Sequence, residues 1–156
     1  GIVGLATALE AAVNSLDEKR ARLARMRDYV LEHIQKMPQV KVNGPLDGSK
    51  RLPNNVNASF TAAEGESLLL MLDMRGVCAS SGSACASGSL DPSHVLLSIG
   101  LPHEVAHGSL RLSFGDDSTM EDVDYIIETL PPIIERLRAM SPLWDAIVNG
   151  RVAYNV

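Results

Sequence analysis

The first 36 residues repeat apolar side chains at a spacing of three to four positions. Leucine, isoleucine, valine and methionine recur along this stretch between polar and charged residues, and this periodicity predicts an amphipathic helix from Gly1 to about Lys36. Ser15 and Glu18 have the spacing of a capping box, a pair of side chains that satisfies backbone amides at the start of a helix. The pattern therefore allows one long helix or two helices divided near Asn14.

Two later segments alternate apolar and polar residues, which is typical of strands with one buried face. In NVNASF, the apolar residues Val56, Ala58 and Phe60 alternate with asparagine and serine, and SLRLSF, from Ser109 to Phe114, repeats the pattern. Arg111 is therefore expected on the polar face of the second strand. A shorter strand is predicted at VKVN, before the turn residues of GPLDGSK.

Helices and turns are predicted between these strands. The segment from Gly65 to Met74 is rich in leucine and methionine and predicts a helix that Gly76 ends. The segment GVCA that follows is expected to form a short strand. In DPSHVLLSIG, we expect Asp91 to cap a short helix that ends near Ile99.

The last long helix is predicted from an apolar stripe that follows a capping box of Ser118 and Glu121 and ends at Met140. Pro131 and Pro132 fall inside this stripe, and because proline lacks an amide donor we expect them to kink or split the helix. Strands and helices mix along the chain with few β-α-β units and no internal repeat. The expected fold class is α+β, with a small mixed or antiparallel sheet covered by helices on one face.

Length, charge and cysteine content limit the organisation of the chain and its partners. With 156 residues, 46% of them hydrophobic, it is long enough for one domain with a sizeable core. A net charge of -5 supplies no basic block for nucleic acid or an anionic membrane surface. Two cysteines make no secretory disulfide framework, and no signal peptide or membrane-spanning run is apparent, so a cytoplasmic or organelle-matrix location is expected. Because a helical pattern is already under way at Gly1, we expect a piece of a longer protein.

The stretch SSGSACASGS, from Ser80 to Ser89, surrounds Cys85 with small residues that give the thiol little apolar cover. An exposed thiol is partly ionised near neutral pH and is already a usable nucleophile. The composition therefore favours a reactive Cys85 over a buried structural thiol. Cys78, in the apolar GVCA segment, is expected to be buried and structural.

The same region contains residue types that bind metals. Cys78 and Cys85, together with His94, His103 and His107, supply ligand types that zinc uses. The cysteines are separated by six residues, which is not the spacing of a zinc knuckle. No metal site is therefore predicted.

Other polar and aromatic residues have two interpretations each. The Arg111 guanidinium offers a planar fork to a carboxylate, or it is a solvated side chain paired with a surface acid. Asn54, Asn55 and Asn57 are expected to be turn and edge residues rather than ligands. Trp144 is either a core anchor for the last helix or a partner contact.

Several motifs occur in an order and at spacings that closely resemble the C-terminal portion of cysteine desulfurases of the NifS and IscS type: LPNNVNASF, EGESLLLML, SSGSACASGSLDPSHVL, SIGL, HEVAHGSLRLSFG and RLRAMSPLW. The resemblance covers essentially the whole chain, and SSGSAC followed by HGSLRLSFG is a specific combination. This family belongs to the fold-type-I enzymes that depend on pyridoxal phosphate, and the chain corresponds to their small domain. The resemblance implies that Cys85 takes the sulfur of L-cysteine as a persulfide and that Arg111 binds the substrate carboxylate.

The resemblance also locates the cofactor elsewhere. The family's cofactor lysine follows a Ser/Gly-His pair in a larger N-terminal domain, and none of Lys19, Lys36, Lys41 or Lys50 has that context. We therefore expect pyridoxal phosphate in the full-length enzyme, no cofactor-binding residue in this chain and no turnover by this chain alone. An iron-sulfur scaffold protein as sulfur acceptor and a homodimeric full-length enzyme are further implications.

The expected organisation is a single C-terminal small domain over 1–156. It comprises a linking helical region (1–36), an α+β core (37–140) that includes the cysteine loop (80–89), and a C-terminal tail (141–156). The alternative from another class is a non-catalytic thiol-carrier, interaction or metal-binding module.

Overall fold

The computed structural model describes residues 1–81 and 92–152. Helices and strands follow one another along this part of the chain in the order α1 (Ile2–Asn14), α2 (Leu16–Ile34), β1 (Val40–Val42), a 3-10 turn (Gly48–Lys50), β2 (Asn55–Phe60), α3 (Gly65–Asp73), α4 (His94–Ser98), α5 (His103–His107), β3 (Ser109–Ser113), α6 (Met120–Ala139) and α7 (Pro142–Val148). No helix in the described ranges combines the length and the apolarity needed to cross a bilayer.

The first helical region forms two helices that meet at Ser15, which was one of the two predicted alternatives. The expected capping box is wrong. Ser15 has φ -105° and ψ 3° rather than the extended backbone of an N-cap, and its hydroxyl donates to the Ala11 carbonyl at 2.8 Å. Apolar side chains of α1 such as Ile2, which is 87% exposed, find no cover within the described residues.

The sheet is antiparallel throughout, with strand order β1-β2-β3, and the predicted α+β class is confirmed. β2 is the central strand, so the expectation that Asn55 and Asn57 are edge residues is wrong. Local sequence could not decide this, because a strand becomes central only when partners from elsewhere in the chain pair on both of its sides. In the register, Val42 lies opposite Ala58, and Asn57 lies opposite Arg111.

The apolar face of the sheet packs against helices α2, α3 and α6. The alternation predicted for β2 and β3 is confirmed, since their apolar residues are buried. The core joins these sheet residues to one side of each of the three helices, and it includes Leu23, Met26, Val30, Leu31, Ile34, Val56, Ala58, Phe60, Leu68, Leu72, Leu110, Leu112, Phe114, Val123, Leu130, Ile133, Ile134 and Leu137. A separate small cluster of Leu96, Leu101, Val105 and Ala106 holds α4 and α5 together.

The segment after α3 differs from the prediction. Gly76 ends the helical turn with φ +76°, as expected. The GVCA segment does not form a strand, and the first residue to pair with the sheet is Ser80, in an isolated bridge. The N-cap position of α4 is Ser93, and Asp91, predicted for that role, lies outside the described residues.

The N-cap of α6 is Thr119, one residue after the predicted cap Ser118. Thr119 and Asp122 form the capping box, with Thr119 N donating to Asp122 Oδ2 at 2.8 Å and Asp122 N donating to Thr119 Oγ1 at 3.2 Å. The Ser118 hydroxyl instead accepts the amide of Gly115 at 2.9 Å. Pro131 and Pro132 do not split the helix, which is continuous, because its buried apolar stripe continues on both sides of the prolines and offsets the missing amide bonds.

Candidate functional site

Arg111 lies on the polar face of β3, as predicted, between two buried leucines that point to the core. Its own side chain is half-buried. Within residues 1–81 and 92–152, no hydrogen bond or ion pair engages the guanidinium. The alternative of a surface acid as its partner therefore finds no support in the described residues, and the fork stays available to a ligand.

Arg111 belongs to a row of polar residues that crosses the sheet. Asn57 lies directly opposite it on β2. Asn43, just after β1, donates its backbone amide to the Asn57 carbonyl at 2.9 Å, and its side-chain Nδ2 donates to Asn57 Oδ1 at 2.6 Å. On the other side, Ser80 pairs with Arg111. We call Asn43, Asn57, Arg111 and Ser80 the polar row.

The polar row lies where this face of the sheet becomes accessible. The next pair on this face, on the side of α5, consists of Ser59 and Ser109, which are fully or almost fully buried. Helix α5 contacts β2 on that side of the polar row. Ser113, on the opposite side of the row, is exposed. Arg111 is thus a half-buried residue between a buried row and an exposed row of this face.

Ser80 holds the beginning of the cysteine loop against β3. Its amide donates to the Arg111 carbonyl at 3.1 Å, and the Arg111 amide donates to the Ser80 carbonyl at 2.6 Å. Ser81 is the last described residue before residue 92. Cys85, predicted to be catalytic, lies outside the described residues. The structure therefore places the chain that leads to Cys85, and not Cys85 itself, beside the arginine.

Cys78 is a free thiol and is exposed, so the prediction of a buried structural cysteine is wrong. The reason is that GVCA does not pair as a strand: Val77 is buried in the core and Ala79 packs against it, while Cys78 between them faces the surface. Cys78 borders a surface pocket of about 320 Å³ together with Asp122 and Tyr125. Tyr125 also closes this side by donating its hydroxyl to the Arg75 carbonyl at 2.9 Å.

The described histidines do not gather with other metal ligands. His103 and His107 lie on one side of α5 with their rings edge to face and their centroids 6.3 Å apart. In the described parts of the chain, no three His, Cys, Asp or Glu side chains converge as metal ligands would. Near His107, burial raises the pKa of Glu64, but hydrogen bonds from Ser67 and the Glu66 amide outweigh this and leave the pKa lowered.

The lysines of this chain do not form a pyridoxal phosphate site. Lys19 pairs with Asp116, and Lys36 pairs with Glu32 in the same helix. Lys50 lies near Asp47 in the 3-10 turn, and Lys41 is on the edge strand β1, two strands away from Arg111. Because pyridoxal phosphate is held through a Schiff base with a lysine that faces it, the residues present do not fit the cofactor.

Trp144 is half-buried and joins α7 to α6 through a contact with Arg138, but it is not one of the residues of the hydrophobic core. The Arg138 guanidinium lies 4.3 Å from the centroid of the Trp144 ring. Arg138 is itself buried and donates to the carbonyls of Thr61 and Gln39. This burial lowers the pKa of Arg138 to about 10, although the charge of Glu135 acts in the opposite direction. The sequence reasoning missed Arg138, whose only signal was its place in the apolar stripe of α6, four residues after Ile134.

The sequence and fold of the chain are similar to those of known proteins. Residues 1–126 match the family described as aminotransferase class-V. The chain is 60% identical over 152 residues to a cysteine desulfurase IscS of Clostridium botulinum strain Hall, a match that covers 97% of this chain and 38% of the relative. It is 51% identical over 143 residues to the cysteine desulfurase IscS of Methanosarcina thermophila, covering 92% of this chain and 35% of the relative.

Two solved structures share the fold. A NifS-like protein superposes with a TM-score of 0.71 at 29% identity, over 88% of this chain and 33% of that one. A NifS-like protein from Rickettsia africae gives a TM-score of 0.69 at 26% identity, over 85% of this chain and 33% of that one. The chain thus spans between a third and two fifths of the length of these proteins.

Proposed function

The chain belongs to the aminotransferase class-V family, and on that premise we propose that it is the C-terminal portion of a cysteine desulfurase. The whole enzyme would convert L-cysteine to L-alanine and hold the released sulfur as a persulfide on Cys85. Similarity to proteins named cysteine desulfurase over nearly the whole chain supports the activity. The residue assignments rest on the motifs of this sequence and on the geometry around Arg111.

One observation carries the proposal, namely the pairing of Ser80 with Arg111. It fixes the start of the cysteine loop on the strand that bears the proposed carboxylate-binding arginine. Cys85 follows Ser80 by five positions in the sequence, and five residues of extended chain span at most roughly 18 Å. By chain length alone, Cys85 is within reach of a substrate held at Arg111.

Two residues of this chain have chemical roles in the proposal. The Arg111 guanidinium binds the substrate carboxylate through charge-assisted hydrogen bonds and orients the amino acid. The Cys85 thiolate attacks the substrate sulfur, so that an S–S bond forms while the C–S bond breaks and a proton replaces sulfur on the Cβ carbon. The products are L-alanine and the Cys85 persulfide, which balances the atoms of the thiolate and L-cysteine.

The rest of the proposal concerns the whole enzyme. Pyridoxal phosphate, which the family and its desulfurase members imply, would be bound by residues that this chain does not contain, so the isolated chain would be inactive. The sulfur acceptor would be an iron-sulfur scaffold protein, and the enzyme would be a cytoplasmic homodimer. A linking role within residues 1–36 is supported for α1, whose apolar side chains are exposed, whereas α2 contributes to the core.

The experiment uses the full-length enzyme with Cys85→Ser and, as a matched control, Cys78→Ser. Both replace a thiol by a hydroxyl, at positions that are seven apart in the sequence. Each protein is mixed with L-cysteine, alanine is quantified, and mass spectrometry locates any cysteine that has gained one sulfur atom. We expect Cys85→Ser to lose both the persulfide and alanine formation, and Cys78→Ser to retain both.

Normal alanine formation by Cys85→Ser, or a persulfide found on Cys78 instead, would contradict the assignment of Cys85. For the arginine, Arg111→Ala should lower kcat/KM for L-cysteine by roughly ten- to a hundredfold, the effect of removing hydrogen bonds to a charged group. Arg111→Lys should recover only part of the loss, because an ammonium keeps the charge without the planar fork. An Arg111→Ala enzyme with an unchanged specificity constant would show that the carboxylate binds elsewhere.

A further inference from the structure

We propose that Asn57 is a second ligand for the substrate carboxylate and that the buried Asn43 positions its amide group. The inference rests on the proposed function, because it places the carboxylate at Arg111. It extends the site from one strand to two. In this arrangement the carboxylate accepts hydrogen bonds from the Arg111 guanidinium on β3 and from the Asn57 Nδ2 amide on β2.

The strand register brings the two side chains together. Asn57 and Arg111 are directly opposite each other in the antiparallel pair of β2 and β3. Side chains in such a pair share one face, with Cβ atoms roughly 4.5 to 5.5 Å apart. Both residues are half-buried. The Asn57 amide and the Arg111 guanidinium can therefore donate to the two oxygens of one carboxylate.

The orientation of the Asn57 amide is set by Asn43. Asn43 Nδ2 donates to Asn57 Oδ1 at 2.6 Å and to Ser59 Oγ at 2.9 Å. Asn43 is only 5% exposed, so the surrounding atoms restrict its movement. The contact occupies the acceptor end of Asn57, and no residue of the described ranges takes its Nδ2 donor. The free end of Asn57 is thus a hydrogen-bond donor, which a carboxylate ligand requires.

This arrangement separates Asn57 from the other asparagine of the strand. Asn55 lies on the same face of β2, one row away and opposite Ser113. No side-chain hydrogen bond within the described residues fixes its amide, and it is not opposite Arg111. Asn55 therefore provides a matched control in which the same substitution is made in the same strand and on the same face.

The test compares two ligands of the full-length holoenzyme that differ only in the carboxylate. L-alanine carries this group, and L-alaninamide carries a neutral amide in its place. Competitive inhibition constants for both are measured against L-cysteine turnover. We expect Asn57→Ala to raise the inhibition constant of L-alanine by about tenfold, the effect of losing one hydrogen bond to a charged group. The inhibition constant of L-alaninamide should change by less than about twofold. Asn55→Ala should change neither constant.

Two further variants test the orientation of the amide. Asn57→Asp keeps an oxygen toward Asn43 but replaces the donor by a second oxygen, so it should weaken L-alanine more than Asn57→Ala does, through repulsion of like charges. Asn43→Ser should weaken L-alanine by a smaller factor, and it should add nothing when Asn57 is already alanine, since a positioning residue acts only through its partner. Additive losses in the double variant would assign Asn43 a purely structural role and overturn this part of the inference.

The Arg111→Ala variant distinguishes failure of the inference from failure of the proposed function. If this variant raises the inhibition constant of L-alanine and leaves that of L-alaninamide unchanged, the carboxylate binds at Arg111. If Asn57→Ala then raises the inhibition constants of both ligands equally, or of neither, the proposed role of Asn57 is wrong while the role of Arg111 stands. If Arg111→Ala itself does not discriminate between the two ligands, the carboxylate site is elsewhere, and both proposals fail.

Discussion

Replacing Arg138 by methionine is expected to weaken the junction between α6, the sheet and α7. Arg138 is 3% exposed. Its Nε donates to the Thr61 carbonyl at 3.1 Å, and its Nη2 donates to the Gln39 carbonyl at 3.0 Å. The guanidinium also lies over the Trp144 ring. Methionine retains an unbranched apolar chain of similar reach and removes all three polar contacts.

The expected loss in the free energy of unfolding depends on the strength of each lost contact and on whether its acceptor keeps another donor. A hydrogen bond from a charged group contributes about 1.5 to 3 kcal/mol, and a cation over an aromatic ring about 0.5 to 1 kcal/mol. Both carbonyls lose their Arg138 donor, but the Gln39 carbonyl still accepts the Thr61 amide at 3.1 Å, so within the described residues only the Thr61 carbonyl is left without a donor. Methionine also avoids the desolvation that lowers the pKa of Arg138. We therefore expect a net loss of about 2 kcal/mol in the free energy of unfolding.

Urea unfolding of the chain, followed by far-UV circular dichroism, measures this loss. The midpoint of thermal unfolding should fall by about 4 to 8 °C, because a domain of this size loses about 2 to 4 °C per kcal/mol. Arg136→Met is the matched control, since Arg136 is exposed on the same helix and its substitution should cost less than about 0.5 kcal/mol. Equal stability of the two variants would refute the assignment of Arg138 as a stabilising contact of the core.

Three further predictions concern α3, the surface thiol and the last helix. Partial burial raises the pKa of Glu64, but hydrogen bonds from Ser67 and the Glu66 amide outweigh this and leave the pKa lowered. Its stabilising contribution is therefore complete above the usual glutamate pKa of about 4.3 and is lost as pH falls through the lower folded value. As the pH is lowered, the free energy of unfolding should fall less steeply for Glu64→Gln than for the unsubstituted chain. Identical slopes for the two proteins would contradict this. The exposed Cys78 should react with iodoacetamide in the native protein within about tenfold of its rate in urea, as mass spectrometry can follow, whereas stronger protection would show that it is buried in solution. If the proposed scaffold protein contacts α7, none of whose residues is buried, deleting 141–150 from the full-length enzyme should weaken its binding, and unchanged affinity in a pull-down titration would exclude that segment as a contact.

Periodic patterns in the sequence were sufficient for most of the helices and strands. The alternation in Asn55–Phe60 and Ser109–Ser113 and the apolar stripe of Met120–Ala139 were predicted within a few residues of their observed ends. These predictions succeed because the repeat of side-chain direction, two residues in a strand and about 3.6 in a helix, is a property of the backbone itself. The polar placement of Arg111 followed from the same alternation.

Helix ends and breaks were predicted less well, because they depend on the backbone of single residues. Ser15 and Ser118 both have a spacing that suits a capping box, yet Thr119 has the extended backbone that the role requires. Spacing cannot choose between neighbouring candidates. Pro131 and Pro132 were expected to kink or split α6; they do not split it, because burial of the residues around them keeps the helix continuous.

The sequence by itself determined the α+β class, the polar face that carries Arg111 and the family resemblance of the cysteine loop. Only the tertiary structure decided that β2 is the central strand, that Cys78 is exposed, and that Asn43, Asn57 and Ser80 form a row with Arg111. The physical reason is that a periodic pattern specifies which way a side chain points along its own element. Which side chain lies opposite it depends on strand register, and here that register joins segments as distant as Asn57 and Arg111.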